Sequence, residues 1–192
     1  MSLPGLVVAA AGILAFLAAK DRQACVIGGI VVSRWGEPRA TSDVDIVVLA
    51  DFGDERRVLA ELLSEYPSRR PDPEAFAEAN RIALLTLPGR INADVSLGAF
   101  PFELEVLERA TEWQLPGGLA LRTCSAEDLV LYKLIAGRPG DIQDITGIVR
   151  RQGRALDAAR IRRWGAQLAD LTEDPDLLQP FEAARKKAGI ND

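Results

Sequence analysis

The sequence predicts an α/β fold: a mixed, twisted sheet in the first two-thirds of the chain and a C-terminal helical bundle in the last third. Up to about residue 124, short apolar runs bounded by Gly, Pro and small polar residues alternate with helically spaced ones. From Ser125 onward the patterns are helical throughout. No long linker separates the two styles, so the expected division is a core at 1–124 and a helical region at 125–192, packed on it.

The elements follow in order. Residues 3–19, LPGLVVAAAGILAFLAA, carry no charge, and their 17 residues sit at the short limit for a membrane span. No Lys or Arg precedes them, so the positive n-region of a signal peptide is lacking. Alanine favours helix, and the run is read as a buried amphipathic or core helix, with a membrane or signal role as the alternative. Ala24 to Ile27 is a short apolar strand ending at Gly28-Gly29, and Ile30 to Trp35 starts a helix. Residues 36–42 cluster Gly, Pro, Thr and Ser as a loop. Val44 to Leu49 is a strand, Asp54 to Tyr66 a helix, and Pro67 to Pro73 a break rich in proline and arginine. Arg81–Leu87 and Ile91–Leu97 are strands joined by the Pro88-Gly89 turn, and the second alternates Asn92, Asp94 and Ser96 with apolar residues. Phe102 to Ala110 fits a short helix or a strand, and Gln114 to Arg122 a turn and a short strand. Ser125 caps a helix that reaches about Ala136, with an acid three residues on. Gly137–Gly140 interrupts it, a helix follows from Asp141 to Arg151, and helices at about 157–170 and 176–188 complete the region.

Composition excludes several chemistries. Histidine is absent, which removes Ser-His-Asp triads, Cys-His dyads and His-ligated zinc. The two cysteines, Cys25 and Cys124, lie far apart and make no disulfide scaffold. A net charge of −5 gives no global basic character for a nucleic-acid surface. Carboxylates are left as the metal ligands to look for. Asp43 and Asp45 alternate on one strand and therefore share a face. Two adjacent carboxylates call for a cation between them, and hard oxygen ligands of this kind suit Mg²⁺ together with substrate phosphates. If the strand carrying Asp94 is a neighbour in the same sheet, all three acids meet on one face. Such a set suits in-line displacement at phosphorus, a carboxylate taking the proton of the attacking hydroxyl. Gly28 and Gly29 let backbone N–H groups approach phosphate oxygens; Arg39 and Ser42 in the loop are placed for phosphate and metal. In isolation each piece has a plainer reading: a turn for the glycines, an acidic strand end for the aspartates, a solvated position for Asp94.

Gly28-Gly29, thirteen residues, Asp43-Val44-Asp45 and the later Asp94 together resemble the signature of the nucleotidyltransferase superfamily related to DNA polymerase β. The resemblance covers roughly residues 5–100. It implies a sheet of the nucleotidyltransferase type, Mg²⁺ held by Asp43, Asp45 and Asp94, and an NTP substrate bound in a cleft beside the helical region. The stretch from Ser125 to Asp144 is similar to bacterial nucleotidyltransferase-like proteins, including abortive-infection toxins of toxin–antitoxin systems. That second resemblance implies that Lys133 contacts the triphosphate and that Arg138, Asp141 and Asp144 form the acceptor side. On the residues alone, Lys133 equally fits a surface position or a salt bridge to Asp141 or Asp144, and the two acids equally fit helix-start stabilisation. Trp35 is read as a core residue rather than a base-stacking one. The tail arginines 150, 151, 154, 160, 162 and 163, with Trp164, are read as a solvated helix face, the alternative being an RNA contact.

The expected activity is Mg²⁺-dependent transfer of a nucleoside monophosphate from an NTP to an acceptor hydroxyl, with RNA such as tRNA or a small molecule as acceptor, in a cytoplasmic protein with no membrane role. The alternatives are a toxin–antitoxin component that acts mainly by binding RNA or an antitoxin-like protein, and an antibiotic-modifying nucleotidyltransferase.

Overall fold

In the computed structural model of the chain, which describes residues 3–190, fifteen α-helices and β-strands follow one another. They are α1 (Leu3–Ala18), β1 (Ala24–Ile27), α2 (Gly28–Trp35), β2 (Asp43–Leu49), α3 (Glu55–Leu63), α4 (Pro73–Asn80), β3 (Ile82–Leu87), β4 (Ile91–Gly98) and α5 (Pro101–Arg109). Then come β5 (Thr111–Gln114), β6 (Ala120–Thr123), α6 (Ala126–Ala136), α7 (Pro139–Gln152), α8 (Ala158–Thr172) and α9 (Gln179–Lys187). The fold class is α/β with a mixed sheet, as the alternation of patterns predicts. Among the described residues, no helix is long and apolar enough to cross a membrane.

One helix departs from the sequence reading, and another settles an alternative it left open. The segment before β3 forms α4, started by Pro73 at its first turn and ended by Arg81 in the left-handed region. Only Ala77 of that helix is buried, so it carries no apolar periodicity to betray it. The ambiguous segment after β4 is helix α5. Pro101 opens it, and the Glu103 carboxylate accepts the N–H groups of Ala99 and Phe100 at 2.7 and 3.0 Å.

The chain clusters into two compact units: residues up to Ile30 with Ala40–Cys124, and Val31–Arg39 with residues from Ser125 onward. The first unit is built on one six-stranded sheet in the order β3-β4-β2-β1-β6-β5. β1 runs antiparallel to β2 and parallel to β6; β2 runs parallel to β4, and β3 and β5 are antiparallel to their neighbours. Val44, Ile46 and Val48 of β2 and Ala93, Val95 and Leu97 of β4 are buried, while Asp43, Asp45, Asn92, Asp94 and Ser96 on the other face are half-buried. Alternation thus gives β4 and the start of β2 one apolar and one polar side, while Cys25, Ile27 and Val47, on the side of the aspartates, are buried. Leu6, Ala10, Ile13 and Leu17 form the buried stripe of α1, which packs on β1, β2 and β6. Cys25 and Cys124 are buried free thiols.

The second unit packs α6 against α7 and α8, and α7 against α9. Leu129, Val130, Ile145, Ile148, Ile161 and Phe181 are fully buried in it. Ser125 caps α6 by accepting the Asp128 N–H at 3.1 Å. Asp128 is itself buried and holds the Arg160 guanidinium at 2.8 Å. The carbonyl end of α2 is closed by α7: the Arg151 guanidinium donates to Ser33 and Gly36 carbonyls at 3.4 and 2.6 Å, and the Gln152 amide to the Trp35 carbonyl at 2.7 Å. The tail arginines are therefore not one solvated face. Arg160 and Trp164 lie inside, and Arg162 pairs with Glu182 at 2.7 Å. Trp35 is half-buried, with the Arg34 guanidinium 4.2 Å from its ring centroid.

Candidate active site

The acidic face of the first unit is set by strand register. β2 and β4 are adjacent and parallel, with Asp43 opposite Asn92 and Asp45 opposite Asp94. Paired residues of neighbouring strands point to the same side of a sheet, so Asp43, Asp45 and Asp94 share one half-buried face. β1 ends beside them, with Ile27 opposite Asp45, and α2 begins at the next residue.

The glycine pair is built around Asp45. Gly28 sits at φ +67°, and a Cβ added there would lie 2.0 Å from Asp45 Oδ2. The Gly29 N–H donates to the same oxygen at 3.3 Å. A Cβ on Gly29 would meet Thr41 Oγ1 at 2.4 Å. The glycines thus admit the Asp45 carboxylate and the Thr41 hydroxyl against the start of α2, where the free N–H groups and the helix dipole favour negative charge. Ser42 Oγ donates to Asp43 Oδ2 at 3.1 Å. The carboxylate oxygens on this half-buried face are the hard donors that a divalent cation such as Mg²⁺ would take. One partner of this face had no signal in the sequence: Arg69, in the break after α3, holds Asp94 Oδ1. A cavity of about 520 Å³ in this unit lies elsewhere, lined by Ala11, Ala15, Ala24 and Arg122 among others. Ala24 opens β1 while Ile27 pairs with Asp45, so this cavity lies toward the opposite strand end and contains none of the acids.

The second unit holds a cluster of its own. Lys133 is buried, and its ammonium donates to Asp141 Oδ1 at 2.6 Å and reaches Asp144 Oδ2 at 3.0 Å. The Arg39 guanidinium grips Asp144 with two hydrogen bonds of 2.7 and 2.8 Å, the bidentate geometry arginine favours. Asp141 also accepts the Arg138 N–H at 3.3 Å, capping α7; the Arg138 side chain is exposed. The ammonium of Lys133 therefore turns inward to two carboxylates rather than lying at an exposed edge, and Arg39 turns to Asp144.

Burial pushes the Asp144 carboxyl up, but hydrogen bonds from Arg39 and Lys133, with their charges, outweigh it and hold it below the ordinary aspartate range. A folded value depressed in this way stabilises the unit above the unfolded aspartate range, about pH 4, and that contribution is lost as pH falls through the folded value. Urea midpoints measured from pH 7 to pH 2 should fall more steeply below about pH 4 in the native chain than in Asp144→Asn. Parallel acid limbs would show that Asp144 carries no such linkage.

A family model described as a nucleotidyltransferase of unknown function (DUF6036) matches residues 8–152. Among solved structures, the crystal structure of an antigenic nucleotidyltransferase-like protein from Paracoccidioides brasiliensis is similar with a TM-score of 0.54 at 19% identity, over 93% of this chain and 92% of that chain. At that identity the likeness speaks for the fold. No curated protein matches.

Proposed function

Since the chain belongs to this family of nucleotidyltransferases, we propose that it transfers a nucleoside monophosphate from an NTP to an acceptor hydroxyl, with Mg²⁺ as cofactor. The observation that carries the reading is the β2–β4 register, which sets Asp45 beside Asp94 on the face that Asp43 shares. Asp43 and Asp45 would hold the ion, with Asp94 the third acid of the face. When bound, Mg²⁺ supplies positive charge to the phosphates and so favours displacement at phosphorus.

The chain's own residues do the rest. Gly29 orients Asp45 through its N–H, and Ser42 orients Asp43. Gly28, having no Cβ, leaves room for the Asp45 carboxylate. Asp94 would accept the proton of the acceptor hydroxyl. The reading takes RNA as the first acceptor class to test, with polycationic small molecules next. Triphosphate and acceptor roles for Arg39, Lys133, Arg138, Asp141 and Asp144 belong to the same proposal. They require Lys133 and Arg39 to exchange a carboxylate partner for a phosphate, so Lys133→Met should weaken NTP binding.

The test is incubation of the purified protein with labelled NTP, Mg²⁺ and bulk tRNA or candidate drugs. Label should pass to an acceptor with the native chain and stay on the nucleotide with Asp43→Ala/Asp45→Ala. Nucleotide binding and transfer unchanged in the double variant would sink the assignment. Absence of transfer together with a co-purifying small protein would favour a toxin–antitoxin component that works by binding.

A further inference from the structure

The third carboxylate of the acidic face is tethered. The stretch Pro67–Arg69 runs along the outer edge of β3: Arg69 N–H donates to the Leu84 carbonyl at 2.9 Å, Thr86 N–H to the Pro67 carbonyl at 2.9 Å, and Ser68 bridges Leu85. From that edge the Arg69 guanidinium reaches over β3 to β4. Its Nε donates to the Leu85 carbonyl at 3.1 Å and its Nη2 to the Ala93 carbonyl at 3.3 Å, and Nη2 also binds Asp94 Oδ1. The two side chains are 28% and 44% exposed, so the ion pair alone would fix little. The two main-chain carbonyls fix the guanidinium independently of Asp94, and a preorganised fork can hold a carboxylate that a free side chain would not.

Charge points the same way. Carboxylates gathered on one face repel one another and favour nearby cations. Arg69 supplies such a cation to Asp94. Among the described residues, no group of three or more His, Cys, Asp or Glu side chains is gathered so that it could hold a metal ion. Asp94 faces its arginine instead of converging with the other two.

We infer that Arg69 is a positioning residue that keeps Asp94 outside the metal shell, so that a divalent cation at this face is held by Asp43 and Asp45 alone. The inference rests on the metal site proposed above and narrows it. It is tested without nucleotide, by titrating Mn²⁺ and following the free ion by electron paramagnetic resonance. The variants are Asp43→Asn, Asp94→Asn, Arg69→Gln and Arg69→Gln/Asp94→Asn.

Asp43→Asn should weaken Mn²⁺ about tenfold or more, because it removes a ligand as well as a charge, whereas Asp94→Asn, which removes a charge but no ligand, should weaken it clearly less, by about threefold at most. Arg69→Gln should tighten Mn²⁺ about tenfold by removing a nearby cation and freeing Asp94, and the double variant should return to the native affinity. A merely structural Arg69 would not produce a gain that depends on Asp94. Equal weakening by Asp94→Asn and Asp43→Asn overturns the inference and leaves the metal site standing, as does an Arg69→Gln protein that binds like the native chain. Absence of Mn²⁺ binding in both the native chain and Arg69→Gln, or binding indifferent to Asp43→Asn, overturns the metal site as well. Should Arg69→Gln fail to fold, the comparison of Asp43→Asn with Asp94→Asn decides alone.

Discussion

Replacing Asp128 by alanine is expected to destabilise the helical unit by about 4 kcal/mol, because it strands a buried guanidinium. The Asp128 side chain has no exposed surface and Arg160 only 6%. Asp128 Oδ1 takes both Nε and Nη2 of Arg160, at 3.1 and 2.8 Å, and its Oδ2 accepts the Ser125 hydroxyl at 2.8 Å. Both oxygens therefore have donors. Removing the acid leaves a charge out of water with its principal anion gone. Removing both charges is a different experiment: Asp128→Leu/Arg160→Met should recover most of the loss, since apolar groups of similar volume need no compensation. Urea unfolding followed by the fluorescence of Trp164, on the same helix as Arg160, measures the difference. A single variant within about 1 kcal/mol of the native chain, the scale of a solvent-screened pair, would show that Arg160 finds other partners.

The second large effect is expected at Gly28. Gly28→Ala should cost about 3 kcal/mol, combining left-handed backbone strain with overpacking. The two contributions can be separated. Gly53 also lies at positive φ, +94°, but its Cβ direction is open; Gly53→Ala should cost about 1 kcal/mol, from strain alone. Gly29→Ala has no such φ, but its Cβ would lie 2.4 Å from Thr41 Oγ1 and 2.9 Å from Thr41 Cβ, so the loop backbone must shift. Its cost should be about 2 kcal/mol, from overpacking alone. Gly28→Ala should in addition displace Asp45 and weaken divalent-ion binding, which Gly53→Ala should leave alone. Equal costs for Gly28→Ala and Gly53→Ala in chemical denaturation would mean that Asp45 moves aside freely.

These positions show which parts of the molecule were legible from residues alone. The Gly28-Gly29 and Asp43-Val44-Asp45 pattern could be read because period-2 alternation and glycine punctuation are local. That β2 and β4 are neighbours could only be posed as a condition, since a parallel pair leaves no turn between its strands to announce it. The charged partners were the hardest part. Arg69 lies 25 residues from Asp94 and Arg160 32 from Asp128, and nothing in the stretches around them marks the pairing. Lys133 stood closer, eight residues from Asp141, and a salt bridge there was one of the readings available. Helix α4 escaped notice for the opposite reason: it hides so little apolar surface that its residues resemble a loop.

The carbonyl end of α2 has a consequence for how the chain comes into being. The side chains that close it, Arg151 and Gln152, are 115 to 118 residues downstream of the carbonyls they bind. An eight-residue helix is too short to persist unsupported in water. During synthesis, the last turn of α2 therefore gains these partners only once the end of α7 has been made. A nascent or truncated chain ending before Arg151 contains every strand of the sheet and still lacks the side chains that close α2. Closure of the last turn of α2 is in this sense timed by the end of α7 rather than by the end of the sheet.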